Sequence, residues 1–174
     1  GASWSQPQPV LPDEPAHARH LLGVSLTYLG DGHVLCGIEG KLRCRSIDYG
    51  QTWTSKPIPP NSHGGGWNQW DPYLVDRDAA TGKVIQLMET GYRGSTDGGQ
   101  EAFLRPSLDL GKSWNDATRV PQWAKVSEVA LARAANGHIV AACRTYIPPS
   151  KQGETLDHFE GLGVSVSADE GQTW

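Results

Sequence analysis

The sequence has little that would bind nucleic acid, cross a membrane or hold a metal. Its formal net charge is −4, whereas phosphate binding needs a basic face, so nucleic acid is not expected as a partner. No apolar run approaches the length of a membrane span. The three cysteines, Cys36, Cys44 and Cys143, form no C-x-x-C pair. The six histidines show no H-E-x-x-H or similar ligand spacing. Neither a metal nor a cofactor is therefore expected. His63-Gly64-Gly65-Gly66 resembles an esterase oxyanion segment, but no G-x-S-x-G elbow accompanies it. No convincing amphipathic helix is found, and the best candidate, Trp123 to Ala134, fits a strand better. No secretory leader is read at the start, which fits a mature or trimmed chain.

What the sequence does have is glycine (21), proline (12) and tryptophan (7) in 174 residues. That length suffices for one domain with its own core, and the glycines and prolines suit many short strands joined by tight turns. A repeat organises them. Ser46 to Trp53, Ser107 to Trp114 and Ser167 to Trp174 share the pattern S-x-D-x-G-x-[ST]-W, and their starts lie 61 and 60 residues apart. The motif is a turn former. Asp48, Asp109 and Asp169 can accept backbone N–H bonds within the turn. Gly50, Gly111 and Gly171 permit positive φ. Trp53, Trp114 and Trp174 pack beneath the turn and pin it.

A second pattern runs in phase. Ser25–Leu29 leads through Asp31-Gly32 to His33–Ile38. Pro72–Val75 leads through Thr81-Gly82 to Lys83–Met88. Val129–Arg133 leads through Asn136-Gly137 to His138–Ala142. Each reads as strand, tight turn, strand. A third strand enters each motif (Leu42–Ser46, Phe103–Ser107, Gly163–Ser167) and a fourth leaves its Trp, as in Trp53–Ile58. The expected fold is all-β: a β-propeller of four-stranded antiparallel blades, with about three present at residues 21–60, 61–121 and 122–174. The last is incomplete. Residues 1–20, with Pro7, Pro9, Pro12 and Pro15, read as a linker or as a strand that closes the ring. Three blades cannot close a ring, so either the remainder of a longer propeller or a second copy is expected to complete it. Cys36 and Cys44 flank Glu39-Gly40-Lys41 and are expected opposite each other on paired strands, as buried thiols or as a disulfide.

The repeated Asp box behind a strand–Gly–strand hairpin resembles the sialidase (neuraminidase) superfamily, whose propellers have six blades. The resemblance covers nearly the whole chain from His20 onward. It implies a glycoside hydrolase or close relative for a terminal sugar, acidic or neutral, a carbohydrate ligand, and a secreted or periplasmic location. Ser127-Glu128-Val129 and Ala142-Cys143-Arg144 resemble the family stretch that carries an active-site Glu and one arginine of a carboxylate-binding triad. There the Glu activates a tyrosine nucleophile, a known exception to the two-carboxylate glycosidase scheme. The arginine fork matches a carboxylate. Where the family has an R-I-P-like triplet, this chain reads Leu21-Leu22-Gly23-Val24, with Arg19 out of register. Its Glu39-Gly40-Lys41 lacks the family's acid/base Asp. The third arginine and the tyrosine would lie beyond Trp174. The rival reading is a non-catalytic Asp-box propeller that binds a glycan or a protein, which the incomplete triad favours.

Alignment of the hairpins on their turn glycines puts Gly23, Asp71 and Glu128 before the first strand of each unit. It puts Glu39, Glu89 and Arg144 after the second. Convergent charges at such an axis suit a polar ligand. Glu128 and Asp71 are the catalytic candidates. Arg144, Glu39, Glu89, Arg93 and Trp70 are the substrate-binding ones. The alternatives are an ion pair for Glu128 with Arg144 and a strand cap for Asp71. Asp71 with Glu89 would supply the carboxylates of a different glycosidase. Trp67, Trp70 and Tyr92 suit either a sugar-stacking wall or, for the tryptophans, packing.

Overall fold

A computed structural model describes residues 3, 5–6, 10–11, 23–38, 40–96, 99–145 and 161–174. Glu39, Arg19, Leu21, Leu22 and most of the proline-rich start lie outside them. Among the described residues every regular element is a strand, and no helix is long and apolar enough to cross a membrane.

Three antiparallel sheets follow one another along the chain. The first contains β1 (Gly23–Gly30), β2 (His33–Ile38), β3 (Leu42–Ser46) and β4 (Thr54–Pro57) in that order. The second contains β5 (Leu74–Arg77), β6 (Val84–Gly94), β7 (Gln100–Ser107) and β8 (Thr118–Ala124). The third contains β9 (Val126–Arg133), β10 (Ile139–Thr145) and β11 (Gly161–Ser167). The stretch from Trp123 to Arg133 is strand, broken only by Lys125 at φ 63°, and Ala134 lies just past its end.

Local sequence accounts for these hairpins. Asp31 and Gly32 form a two-residue turn with φ of 48° and 80°, the mirror-image geometry that matches strand twist. Cys36 and Cys44 are directly opposite in register, and both are buried free thiols, as is Cys143. Burial pushes the Cys44 thiol up to about 11.

The three box motifs fold alike. In the first, Ser46 Oγ donates to Asp48 Oδ1 (2.8 Å) and accepts from Gly50 N–H (2.8 Å). Asp48 accepts from Thr52 N–H (2.9 Å) and from the Thr52 hydroxyl. The Trp53 indole donates to Gly50 O at 3.0 Å. The same bonds recur around Asp109 and Asp169. The residue before each glycine (Tyr49, Leu110 and Glu170) also sits near φ 60°.

The boxes also lock the sheets together. A Cβ on Gly111, at φ 77°, would meet Leu35 Cδ1 of the first sheet at 2.9 Å. A Cβ on Gly171 would meet Leu104 Cδ2 of the second sheet at 2.8 Å. Each later box is thus wedged against the preceding sheet. Leu29, Leu35, Tyr73 and Leu87 form the core between the first two sheets, with Trp114 against it. Leu104, Trp123, Val129 and Ile139 are among those between the second and third, where Trp174 lies 4.8 Å from Trp123. Full burial of each large apolar side chain contributes about 1.5–3 kcal/mol.

Strand β6 runs beyond its expected end at Met88 to Gly94. From Leu87 to Gly94 it pairs with β7, and a bridge from Asn68 to Tyr92 holds its far end. Glu89 is therefore in mid-strand rather than at a strand tip.

Candidate functional site

Asp71, Glu128 and Arg144 line one pocket of about 270 Å³, together with Ala130, Ala142, Gly161 and Leu162. Three segments build it. Asp71 comes from the bend before β5, Glu128 from β9 and Arg144 from β10. Strand β9 carries an extra residue where Cys143 pairs with Val129 but Thr145 pairs with Val126. This bulge sets Glu128 across from Arg144, a common way to re-aim a side chain near a site. Arg144 Nη1 donates to both Glu128 oxygens, at 2.8 and 2.9 Å. The pair is part-exposed, at 35% for Arg144 and 27% for Glu128.

Asp71 has different surroundings. Burial raises its carboxyl above the ordinary aspartate value, the Glu128 charge adds to that, and a hydrogen bond from the Val129 backbone opposes both. Val129 is itself fixed by the Thr90 hydroxyl, which donates to its carbonyl at 2.6 Å. One pocket thus holds a carboxyl biased toward its protonated form and a carboxylate paired with arginine.

The other sequence candidates lie elsewhere. Glu89 is only 1% exposed and sits between Arg43 and Arg105. Arg43 Nη2 donates to both Glu89 oxygens at 2.7 Å, and Arg43 Nε donates to Tyr73 Oη at 3.2 Å. Arg105 Nε donates to Glu89 Oε1, and its guanidinium lies 4.0 Å from the Trp67 ring centre. The structure therefore groups Asp71 with Glu128 rather than with Glu89. Arg93 bonds Glu101 and the carbonyls of His63 and Gly64. Trp70 is 40% exposed and donates to Tyr92 Oη at 3.0 Å, so these two aromatic residues do meet. Trp67 is buried against Gly91, where a Cβ would stand 2.3 Å from its ring. Glu39 lies outside the described residues. Among the described residues no group of His, Cys, Asp and Glu is placed to hold a metal ion.

Sequence reasoning missed the Arg43–Glu89–Arg105 cluster. Its partners lie on separate strands, and the available signal was only two arginines, Arg43 and Arg45, on one face of a short strand.

No family model matches the chain, and no curated protein matches it in sequence. Among solved structures it is similar to the crystal structure of a protein of unknown function from Dyadobacter fermentans DSM 18053. The TM-score is 0.57 at 20% identity, over 85% of this chain and 47% of that one. This chain spans about half the length of that neighbour, and the likeness bears on fold alone.

Proposed function

We propose that the three sheets are consecutive blades of a sialidase-like Asp-box β-propeller, and that the Asp71–Glu128–Arg144 pocket is a glycoside-hydrolase site for a terminal sugar, acidic sugars included. The propeller reading is supported by the repeated wedge of box against preceding sheet. It is supported too by the outer strand of the third sheet. Leu162, Val164 and Val166 there are 77%, 66% and 46% exposed. Counted back from the box serine, Val164 occupies the place of Leu104, which receives the next box. A further blade, or a second copy, would cover this face.

The single observation behind the enzymatic reading is the carboxyl pair with opposed surroundings. Asp71 is raised by burial while Glu128 is bonded to Arg144, and carboxyls in such different surroundings suit the separate roles of acid and base. Asp71 gives its proton to the leaving glycosidic oxygen as the bond from that oxygen to the anomeric carbon breaks. The Glu128 carboxylate takes a proton from the attacking water, whose oxygen bonds to the same carbon. Solvent then returns both groups to their starting forms. Proton transfer by a placed side chain is worth roughly 10²–10⁴-fold.

The test is release of 4-methylumbelliferone from a panel of its glycosides, a sialoside and a uronide among them. Asp71→Asn and Glu128→Gln should each lower the rate by about 10²-fold or more on the accepted glycoside. An inactive wild type across the panel, or variants as fast as wild type, would overturn the hydrolase reading. A binding-module reading is favoured by one feature: Arg144 already bonds both Glu128 oxygens. Under that reading the same sugars bind, are not cleaved, and lose affinity in Arg144→Ala.

A further inference from the structure

A second cavity, of about 370 Å³, lies between the first sheet and the second box, and Leu35, Arg43, Arg45, Lys56, Lys112 and Trp114 are among the residues that line it. Four of these six are cationic, and no carboxylate lines it among the described residues. The Arg43 charge is only partly offset, because Glu89 is shared with Arg105. Burial, together with the Glu89 charge, holds Tyr73 up at about 12, so it adds no negative charge at neutral pH. Arg45 donates to Leu110 O at 2.8 Å and faces His33 Nδ1, and it has no acidic partner among the described residues. Lys56 and Lys112 are exposed. Their amines bond no described residue.

The molecule contains its own control. The equivalent cavity between the second sheet and the third box is about 160 Å³ and is lined by Thr118, Arg119, Gln172 and Trp174, among others. Counted from the box serines Ser46 and Ser107, Leu104 stands where the first sheet has Arg43, and Pro106 where it has Arg45. Thr118 pairs with Leu104 as Lys56 pairs with Arg43. Gln172 occupies the box position of Lys112. One cation lines this second cavity, Arg119, which shares Glu101 with Arg93, against four in the first. The same framework therefore closes without the four cations, and they are not a requirement of the fold.

We infer that the first cavity binds an organic anion with a tetrahedral oxyanion head, a sulfate or phosphate monoester carried on an apolar body. The Lys56 and Lys112 ammonium groups are compact point charges at the rim and suit such a head. Leu35, Pro57 and Trp114 offer the apolar wall for the body. The excess positive charge beneath raises local anion concentration. This site is separate from the Asp71 pocket and shares no lining residue with it.

The test titrates the intact chain with 4-methylumbelliferyl sulfate and 4-methylumbelliferyl phosphate, and with neutral 4-methylumbelliferone, by calorimetry at low salt. At least one ester should bind, and the neutral compound should bind about tenfold more weakly or not at all. Lys56→Thr with Lys112→Gln converts the rim to that of the second cavity and should weaken the ester about tenfold, with an unchanged melting curve. A preference between the two esters identifies the head group. Equal binding of the neutral compound, no binding of either ester, or wild-type affinity in the double variant would overturn the inference.

Discussion

Asp71 and Glu128 line the same pocket, yet one is raised by burial while the other bonds Arg144 through both its oxygens. The Asp71 shift has a consequence for stability. Its folded-state carboxyl holds a proton more tightly than in the unfolded chain, so there is no penalty below the ordinary aspartate value of 3.8. As pH rises above that value the unfolded chain releases its proton first, and the fold loses stability until Asp71 ionises too. Asp71→Asn removes this term while it keeps an acceptor for the Val129 N–H. Urea unfolding should show the variant gaining on wild type at pH 7 relative to pH 3.

The box aspartates have the opposite sign. Asp48 and Asp169 are held at about 2, chiefly by the hydroxyls of Thr52 and Thr173. Desolvation is the largest influence on Asp109 and works upward, but bonds from Ser113 and Ser107 together bring it to about 2 as well. Depressed carboxyls stabilise the fold above the unfolded value of 3.8, and that contribution is lost as pH falls toward 2. The urea midpoint should drop steeply between pH 4 and about 2. Asp109→Asn should flatten part of that slope, as followed by circular dichroism.

Glu89 joins two arginines with almost no exposure. Glu89→Ala leaves two guanidinium groups buried against each other. The expected loss is about 3–5 kcal/mol of unfolding free energy, measured in urea.

Gly111 combines positive φ with a close approach to Leu35. Gly111→Ala should cost about 1–3 kcal/mol through strain and overpacking. Gly66 has open space around its Cβ position. Gly66→Ala should change stability by less than about 0.5 kcal/mol, which makes it the matched control.

Much of the fold could be read in advance because the governing interactions are local. The box bonds span at most four residues, and the Asp31-Gly32 and Asn136-Gly137 turns carry their own geometry. The overrun of β6 to Gly94 could not be read this way, because it rests on pairing with β7 and on a bridge from Tyr92 to Asn68 in a separate segment. Glu89 matched Arg144 in its place after a turn glycine, but that overrun put it in mid-strand among arginines from other strands. The approach of Asp71 to Glu128 depends on how the second and third sheets pack. Sequence spacing put Asp71, Glu128 and Arg144 among converging charges, and the packing of the sheets decided that Glu89 does not join them.

Carboxyl carbon titration by NMR measures the Asp71–Glu128 relationship directly. Asp71 should titrate above ordinary aspartate, and Glu128→Gln should bring it down while burial keeps it above the usual value. An Asp71 that titrates as an ordinary surface aspartate, unmoved by Glu128→Gln, would contradict the shared site.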